Sequence, residues 1–339
     1  MKVGLVGAGA VARAHLTAYI RHPSVEAVIA ADKKKQAREA LASQYGIIKG
    51  TARHYEELLA DDDIALVDVC TPHDTHHPIA MAALSAGKDV ICEKPLALTL
   101  EQADEMIAAA EEHSRRLFCA LNQRMFPAHL RAKEIIDEGD LGEPFFGVVV
   151  VVGDEFARMN DPESWKGEWK QAGGGALFDT GYHAIYMLQH FLGEATAVTA
   201  STRRCIVEPE NKADDCAVAS LEMGPKRQGS ISITYSATGT PWAETRLLVG
   251  TKGSLQIVDA DEEVGPLSGF YEKEFIPLPV HNPPDLHSYS IRQTICHFLD
   301  CVHSGEEPDI TLDEARSALA TAIACYESAR RGRRVEVAG

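Results

Sequence analysis

Three stretches put chemically able side chains where a fold could use them. In Val90-Ile91-Cys92-Glu93-Lys94-Pro95, a short apolar run bounded by Gly87 and Pro95 reads as a buried strand. Lys94 stands just past its end, at the rim where an open parallel sheet keeps its chemistry. An ammonium there can stabilise charge developing on a substrate oxygen; the bland alternative is a solvated lysine in a strand-to-helix loop. The Lys94–Pro95 bond is a candidate for a fixed turn, cis included. Gly7-Ala8-Gly9-Ala10-Val11-Ala12 fits the dinucleotide fingerprint G-x-G-x-x-A: Gly7 for a tight turn, Gly9 for close approach to a pyrophosphate, and a helix N-terminus whose unpaired N–H groups receive the anion. Gly173-Gly174-Gly175 opens a helix carrying Asp179 and His183. These two share one helical face, and an imidazole titrating near neutrality suits a general base. Taken alone, a histidine and a carboxylate at this spacing are more often a structural pair.

Periodicity and turn residues supply the elements that must position these groups. A strand at residues 3–6 runs into the glycine turn and a helix ending near Tyr19. A second strand, residues 25–31, ends at Asp32, roughly 20 residues past the glycines as the fingerprint requires. A carboxylate there would accept hydrogen bonds from the adenosine ribose hydroxyls and repel a 2′-phosphate, which favours NAD over NADP. Lys33, Lys34 and Lys35 offset part of that repulsion, so both nucleotides stay open. Asp32 is also placed to cap the helix expected over residues 34–45. The strand at residues 65–70 ends in Thr71-Pro72-His73-Asp74-Thr75-His76-His77. So many histidines invite zinc, but with no further ligand cluster nearby the preferred reading is a loop flanking a cofactor, with no metal. A Thr99-x-x-Gln102 capping box and a strand at residues 117–121 complete a doubly wound parallel sheet.

After Asn122-Gln123-Arg124 the pattern changes. A helix at residues 127–137 and a strand at 145–152 precede a polar, Trp-containing loop at 153–171 and the helix at 177–192. Five strands between residues 195 and 258 read as a large antiparallel or mixed sheet. Two helices close the chain, over residues 287–303 and from the Thr311-x-x-Glu314 capping box to about Arg330. The fold class is therefore α/β: an N-terminal Rossmann doubly wound parallel sheet (residues 1–122), then a C-terminal α+β domain with a large open, mostly antiparallel sheet (residues 123–339).

Composition narrows the function classes. With 339 residues, 45% hydrophobic and 24% charged, the chain can bury about two cores of an ordinary globular protein. A formal net charge of -17 opposes contact with nucleic acid or an anionic bilayer, both of which need a basic footprint. The eight cysteines form no C-x-x-C pair and sit in apolar or helical segments, which reads as reduced, mostly buried thiols of a cytoplasmic protein. No uninterrupted apolar run is long enough to span a membrane.

Taken in order, the glycine turn, Thr71-Pro72 with His76, Glu93-Lys94-Pro95, Asn122 with Arg124, and Gly173-Gly174-Gly175 leading to Asp179 and His183 resemble the glucose–fructose oxidoreductase / inositol dehydrogenase / rhizopine catabolism family. The resemblance covers nearly the whole chain. It implies a Rossmann domain for NAD, with NADP also admitted, a C-terminal domain for a sugar or cyclitol, and a homodimer or homotetramer formed through the exposed face of the C-terminal sheet. Lys94, Asp179 and His183 match the family's catalytic lysine, aspartate and histidine. His73 departs from the family, which usually has asparagine after Thr-Pro. The cofactor contacts so implied are Gly7, Gly9, Ala10, Val11, Asp32, Lys33, Thr71, Pro72, His73, His76, Glu93, Lys94 and Arg124.

Substrate contacts are expected from Lys94, Arg124, Trp165, Lys166, Asp179 and His183, with Trp169 nearby. An aromatic face suits the C–H side of a sugar ring and charged groups suit its hydroxyls. Anchoring a surface loop is the equal alternative for the tryptophans. The expected reaction is NAD(P)-dependent oxidation of a secondary alcohol of a sugar, sugar derivative or inositol. His183 would take the proton, Lys94 would stabilise the alkoxide, and Asp179 would orient His183 or bind a neighbouring hydroxyl. NAD-assisted glycoside cleavage and a non-catalytic, sugar-sensing regulator are the alternatives.

Overall fold

A computed structural model describes residues 1–208, 213–258, 266–271 and 274–339. The chain divides into two compact units, Met1–Met125 with Pro284–Arg316, and Phe126–Pro283 with Ser317–Gly339.

In the first unit the elements alternate: β1 (Lys2–Val6), α1 (Ala10–Tyr19), β2 (Ala27–Ala31), α2 (Lys35–Gln44), β3 (Ile48–Ala52), α3 (Tyr55–Leu59), β4 (Ile64–Val69), α4 (His76–Ser85), β5 (Asp89–Glu93), α5 (Leu100–Glu112) and β6 (Leu117–Ala120). The strands form one parallel sheet in the order β3-β2-β1-β4-β5-β6. Helices cover both faces of such a sheet, which is why β1, β4 and β5 read as nearly unbroken apolar runs. Because every strand points the same way, Gly7, Asp32, Thr71 and Lys94 all fall at the carboxyl edge. The order reverses between β1 and β4, the crevice where ligands bind in this architecture. The Thr99 hydroxyl caps α5 by accepting from the Gln102 N–H at 3.2 Å, and the Lys94–Pro95 bond is cis.

The second unit holds α6 (Pro127–Asp137), β7 (Pro144–Val152), α7 (Phe156–Asn160), α8 (Trp169–Ala172), α9 (Ala176–Leu192), β8 (Ala197–Arg203), β9 (Cys216–Glu222), β10 (Gln228–Thr234), β11 (Ala243–Gly250), β12 (Ser254–Val258), β13 (Leu267–Tyr271), β14 (Glu274–Pro277) and β15 (Val335–Glu336). Its nine strands run in the order β14-β13-β12-β11-β7-β10-β9-β8-β15. Among the described residues of this sheet only β7 and β10 pair in parallel, so the sheet is mixed but mostly antiparallel. Sequence periodicity finds neither β13 nor β14, and it treats residues 153–171 as loop. That stretch contains α7, a 3₁₀ turn at Trp165–Gly167 and α8. Each is at most five residues long, too short to repeat a buried face.

Two long helices close the chain, α10 (Leu286–Ser304) and α11 (Leu312–Arg331). Although distant in sequence, α10 packs against α1 in the first unit. There Phe298 stacks on Phe118 at 4.8 Å and Asn122 Nδ2 donates to Ser290 Oγ at 2.8 Å.

In the second unit α9 is buried on nearly every side and lies over β7 and β10. Leu188 seats it: the side chain reaches so close to Gly147 that an added methyl there would stand 2.7 Å away. The opposite sheet face shows exposed apolar side chains, Val150 at 39% and Val218 at 58%. Among the described residues no helix is long and apolar enough to cross a membrane. Leu188→Ala is expected to lower unfolding free energy by about 2–5 kcal/mol, as for other buried leucines. Denaturant titration should show this as a shifted midpoint with an unchanged slope.

Candidate active site

At the carboxyl edge of the first unit, the turn after β1 is sterically determined. Gly7 has φ +98, and a Cβ there would lie 2.2 Å from the Cys70 carbonyl oxygen, so only glycine fits. Above Gly9 the space is open, with nothing within 4 Å of an added Cβ, and no side chain caps the start of α1. A bare helix N-terminus under an open glycine turn fits a pyrophosphate. Asp32 braces the turn: its Oδ2 accepts from the Ala8 N–H at 2.9 Å and its Oδ1 from the Lys34 N–H at 2.7 Å. Asp32 does not cap α2, whose N-cap is Lys34 with no side-chain bond. Its carboxylate is already fixed by two N–H groups and keeps lone pairs for ribose hydroxyls.

Other expected cofactor residues are structural neighbours of that edge. His76 is buried, its ring nitrogens 2.8 Å from the Pro95 carbonyl and 3.0 Å from the Thr71 carbonyl. It therefore ties the Thr71-Pro72 loop to the Lys94-Pro95 turn. Burial pushes its pKa down. His77 faces Glu105 at 2.7 Å, so these two histidines turn to different partners. His73 is buried beside the His76 ring. Lys33 is exposed. Arg124 is held within the first unit by Glu314 and by the Asp309 carbonyl.

Glu93 points inward. Its Oε2 accepts the Lys94 backbone N–H at 3.1 Å, and its Oε1 lies 2.9 Å from His15 Nε2. The other ring nitrogen of His15 lies 2.9 Å from Asp68 Oδ2, which also accepts from Tyr19 Oη at 2.7 Å. Burial alone would lower the His15 pKa, but the Asp68 carboxylate reverses that and raises it well above the ordinary value. Burial likewise opposes ionised Glu93, yet the bond and charge from His15, with Lys94, hold it below the usual carboxylate range.

In the second unit a different carboxylate builds the start of α9. Asp214 accepts from the Gly175 N–H at 3.0 Å, the Leu177 N–H at 3.2 Å and Tyr326 Oη at 2.6 Å. A side chain at Gly175 would stand 1.9 Å from the Asp214 carbonyl oxygen, so glycine permits this contact. From the helix so anchored, Asp179 Oδ2 receives Lys166 Nζ at 2.6 Å and Tyr235 Oη at 2.9 Å. His183 Nδ1 lies 2.8 Å from Tyr186 Oη. Trp169 packs edge-on against Tyr326 at 4.9 Å, an anchoring contact, and Trp165 is half-buried beside Lys166.

Residues 1–121 match the oxidoreductase family described as having an NAD-binding Rossmann fold, and residues 133–337 match that family's C-terminal alpha/beta domain. The chain belongs to the glucose–fructose oxidoreductase / inositol dehydrogenase / rhizopine catabolism family. It is an oxidoreductase of this family with an NAD-binding Rossmann domain. The chain is 34% identical to levoglucosan dehydrogenase of Pseudarthrobacter phenanthrenivorans over 243 residues, 69% of this chain and 62% of that protein. It is 29% identical to 1,5-anhydro-D-fructose reductase of Ensifer adhaerens, covering 98% of each. A solved structure of levoglucosan dehydrogenase in complex with NADH and levoglucosan superposes with a TM-score of 0.89 at 25% identity over 100% of both chains. Relatives named dehydrogenase and reductase favour neither glycoside cleavage nor a sensing role.

Sequence reasoning about the family's motifs missed His15, Tyr19, Asp68, Asp214, Tyr186 and Tyr235. A signal existed for two of them: Asp68 interrupts the apolar strand Leu66-Val67-Asp68-Val69, and His15 lies on the same buried stripe as Ala12, Leu16 and Tyr19. A charge in such a place needs a partner. Asp214 gave none, because its partners, two backbone N–H groups and the Tyr326 hydroxyl, are brought to it by the fold.

Asp214→Asn should cost about 1–2 kcal/mol, the scale of a lost helix cap, and Gly175→Ala more, both read by denaturant unfolding. A second test uses pH. Since the His15 pKa is raised on folding, its stabilisation is complete below its unfolded pKa of about 6.5 and fades as pH rises through the folded value. The gap in unfolding free energy between wild type and His15→Gln should therefore be widest on the acid side and narrow as pH climbs.

Proposed function

We propose that this protein is an NAD(P)-dependent dehydrogenase that oxidises a secondary alcohol of a sugar, sugar derivative or inositol. One observation carries the reading: Gly7, Asp32, Thr71 and Lys94 lie along a single sheet edge at the point where strand order reverses. The similarity to dehydrogenases and reductases of anhydro sugars supports the substrate class.

A bound nicotinamide would supply the hydride acceptor. Gly7, Gly9, Ala10 and Val11 would hold the pyrophosphate, Asp32 and Lys33 the adenosine ribose, and Thr71, Pro72, His73, His76, Glu93, Lys94 and Arg124 would frame the remainder. As hydride leaves carbon, charge builds on the alcohol oxygen. The Lys94 ammonium holds that hydroxyl and stabilises the alkoxide. His183, whose Nδ1 lies 2.8 Å from Tyr186 Oη, takes the proton. Asp179, engaged by Lys166 and Tyr235, is placed to bind a neighbouring hydroxyl with Lys166, and we prefer this to its orienting His183. Residues 1–122 would serve the dinucleotide and residues 123–339 the substrate. The exposed sheet face bearing Val150 and Val218 is the surface we assign to a homodimer or homotetramer, in a cytoplasmic enzyme.

Nicotinamide reduction across levoglucosan, 1,5-anhydro sugars, aldoses and inositols, with NAD and NADP in parallel, tests the reading; no turnover with any of them would defeat it. Asp32→Ala should shift preference toward NADP by removing the charge that repels a 2′-phosphate. Lys94→Ala should lower kcat by about 10²–10³-fold, the scale of a lost oxyanion donor, while NADH still binds in a fluorescence titration.

A further inference from the structure

Beneath Lys94 lies a group of buried ionisable side chains, of which the reading above uses only Glu93, in the cofactor's frame. His15, Asp68 and Tyr19 are completely buried and Glu93 nearly so. The ring of His15 has a carboxylate oxygen 2.9 Å from each of its nitrogens. An ionised carboxylate only accepts hydrogen bonds, so both nitrogens must carry protons and the ring is a cation. A neutral ring would set a nitrogen lone pair against a carboxylate in a site without water. Buried ion groups of this kind are often replaced by apolar side chains without loss of stability, so stability alone gives no reason for one here. Its placement does: Glu93 immediately precedes Lys94 and receives the Lys94 backbone N–H on the oxygen that His15 does not use.

We propose that His15 is a positioning residue for Lys94: a cation clamped between Asp68 and Glu93, it fixes the Glu93 carboxylate and thereby the backbone from which Lys94 projects. The inference rests on the role given to Lys94 under the proposed function. His15 belongs to α1, the helix whose N-terminus faces the glycine turn. One rigid element therefore carries both the anion-binding N–H groups and the clamp on Lys94, with Asp68 on β4 setting the ring from the other side.

Two measurements test this. In ¹⁵N-histidine NMR of the wild-type protein, with His15→Gln supplying the assignment, the His15 ring should show two N–H groups at pH 8, where surface histidines are neutral. A ring with one proton overturns the proposal, and Glu93→Gln, which keeps the side-chain shape and the acceptor for the Lys94 N–H, supplies a second assignment if His15→Gln fails to fold. In kinetics, His15→Gln should lower kcat about tenfold or more with NADH affinity within about threefold of wild type, and Glu93→Gln should lower kcat by a similar factor. Added to Lys94→Ala, either should cost less than about twofold further, because residues acting through one group are not additive. Full kcat in folded variants that merely melt earlier overturns the proposal. So does a loss of NADH affinity that matches the loss of kcat, which would assign the clamp to the glycine turn. Near-normal turnover by Lys94→Ala removes the reading of Lys94 itself. An inactive Lys94→Ala beside a fully active His15→Gln overturns this inference alone.

Discussion

A buried histidine cation with a carboxylate on each side is the interaction around which the first unit is arranged. Each ion would be costly to bury alone; the two carboxylates serve the two ring nitrogens, while Tyr19 Oη and the Lys94 N–H supply further donors to Asp68 and Glu93. The three ions come from α1, β4 and β5, so the group forms only when helix and strands stand in register. It lies under the sheet edge where Gly7, Asp32, Thr71 and Lys94 line up, and it joins the helix behind the glycine turn to the backbone of the lysine.

The second unit uses a buried carboxylate for a related purpose. Asp214 collects the first N–H groups of α9 together with the Tyr326 hydroxyl. Burial pushes its pKa up, against the bonds that lower it. The helix thus anchored carries Asp179, bonded to Lys166 and Tyr235, and His183, beside the Tyr186 hydroxyl. Chemistry-bearing side chains in both units are therefore set by polar groups behind them. Altering those groups would change geometry without touching a ligand.

This arrangement suits alcohol oxidation. The carboxyl edge of the parallel sheet offers a bare helix end that fits an anion, and Lys94 follows β5 at that same edge. Membership of the oxidoreductase family with its NAD-binding Rossmann fold accounts for these features.

The sequence by itself determined the alternation of strand and helix, the glycine turn, the position of Lys94 past an apolar run and the helix bearing Asp179 and His183. Each of these is written in local periodicity, in a turn residue or in a motif within a few positions of chain. Strands β13 and β14 and the short helices between residues 153 and 171 escaped because so few residues give no repeat to detect. Only the tertiary structure decided that α10 packs with the first unit, that Asp214 starts α9, that Asp179 pairs with Lys166, and that His15 lies between Asp68 and Glu93. Asp179 and Lys166, Asp214 and Gly175, and His15 with Asp68 and Glu93 stand 13 to 78 positions apart along the chain, and Asn122 and Ser290 stand 168 apart. Hydrogen bonding depends on distance and direction in space, and those are fixed only once the apolar faces have packed.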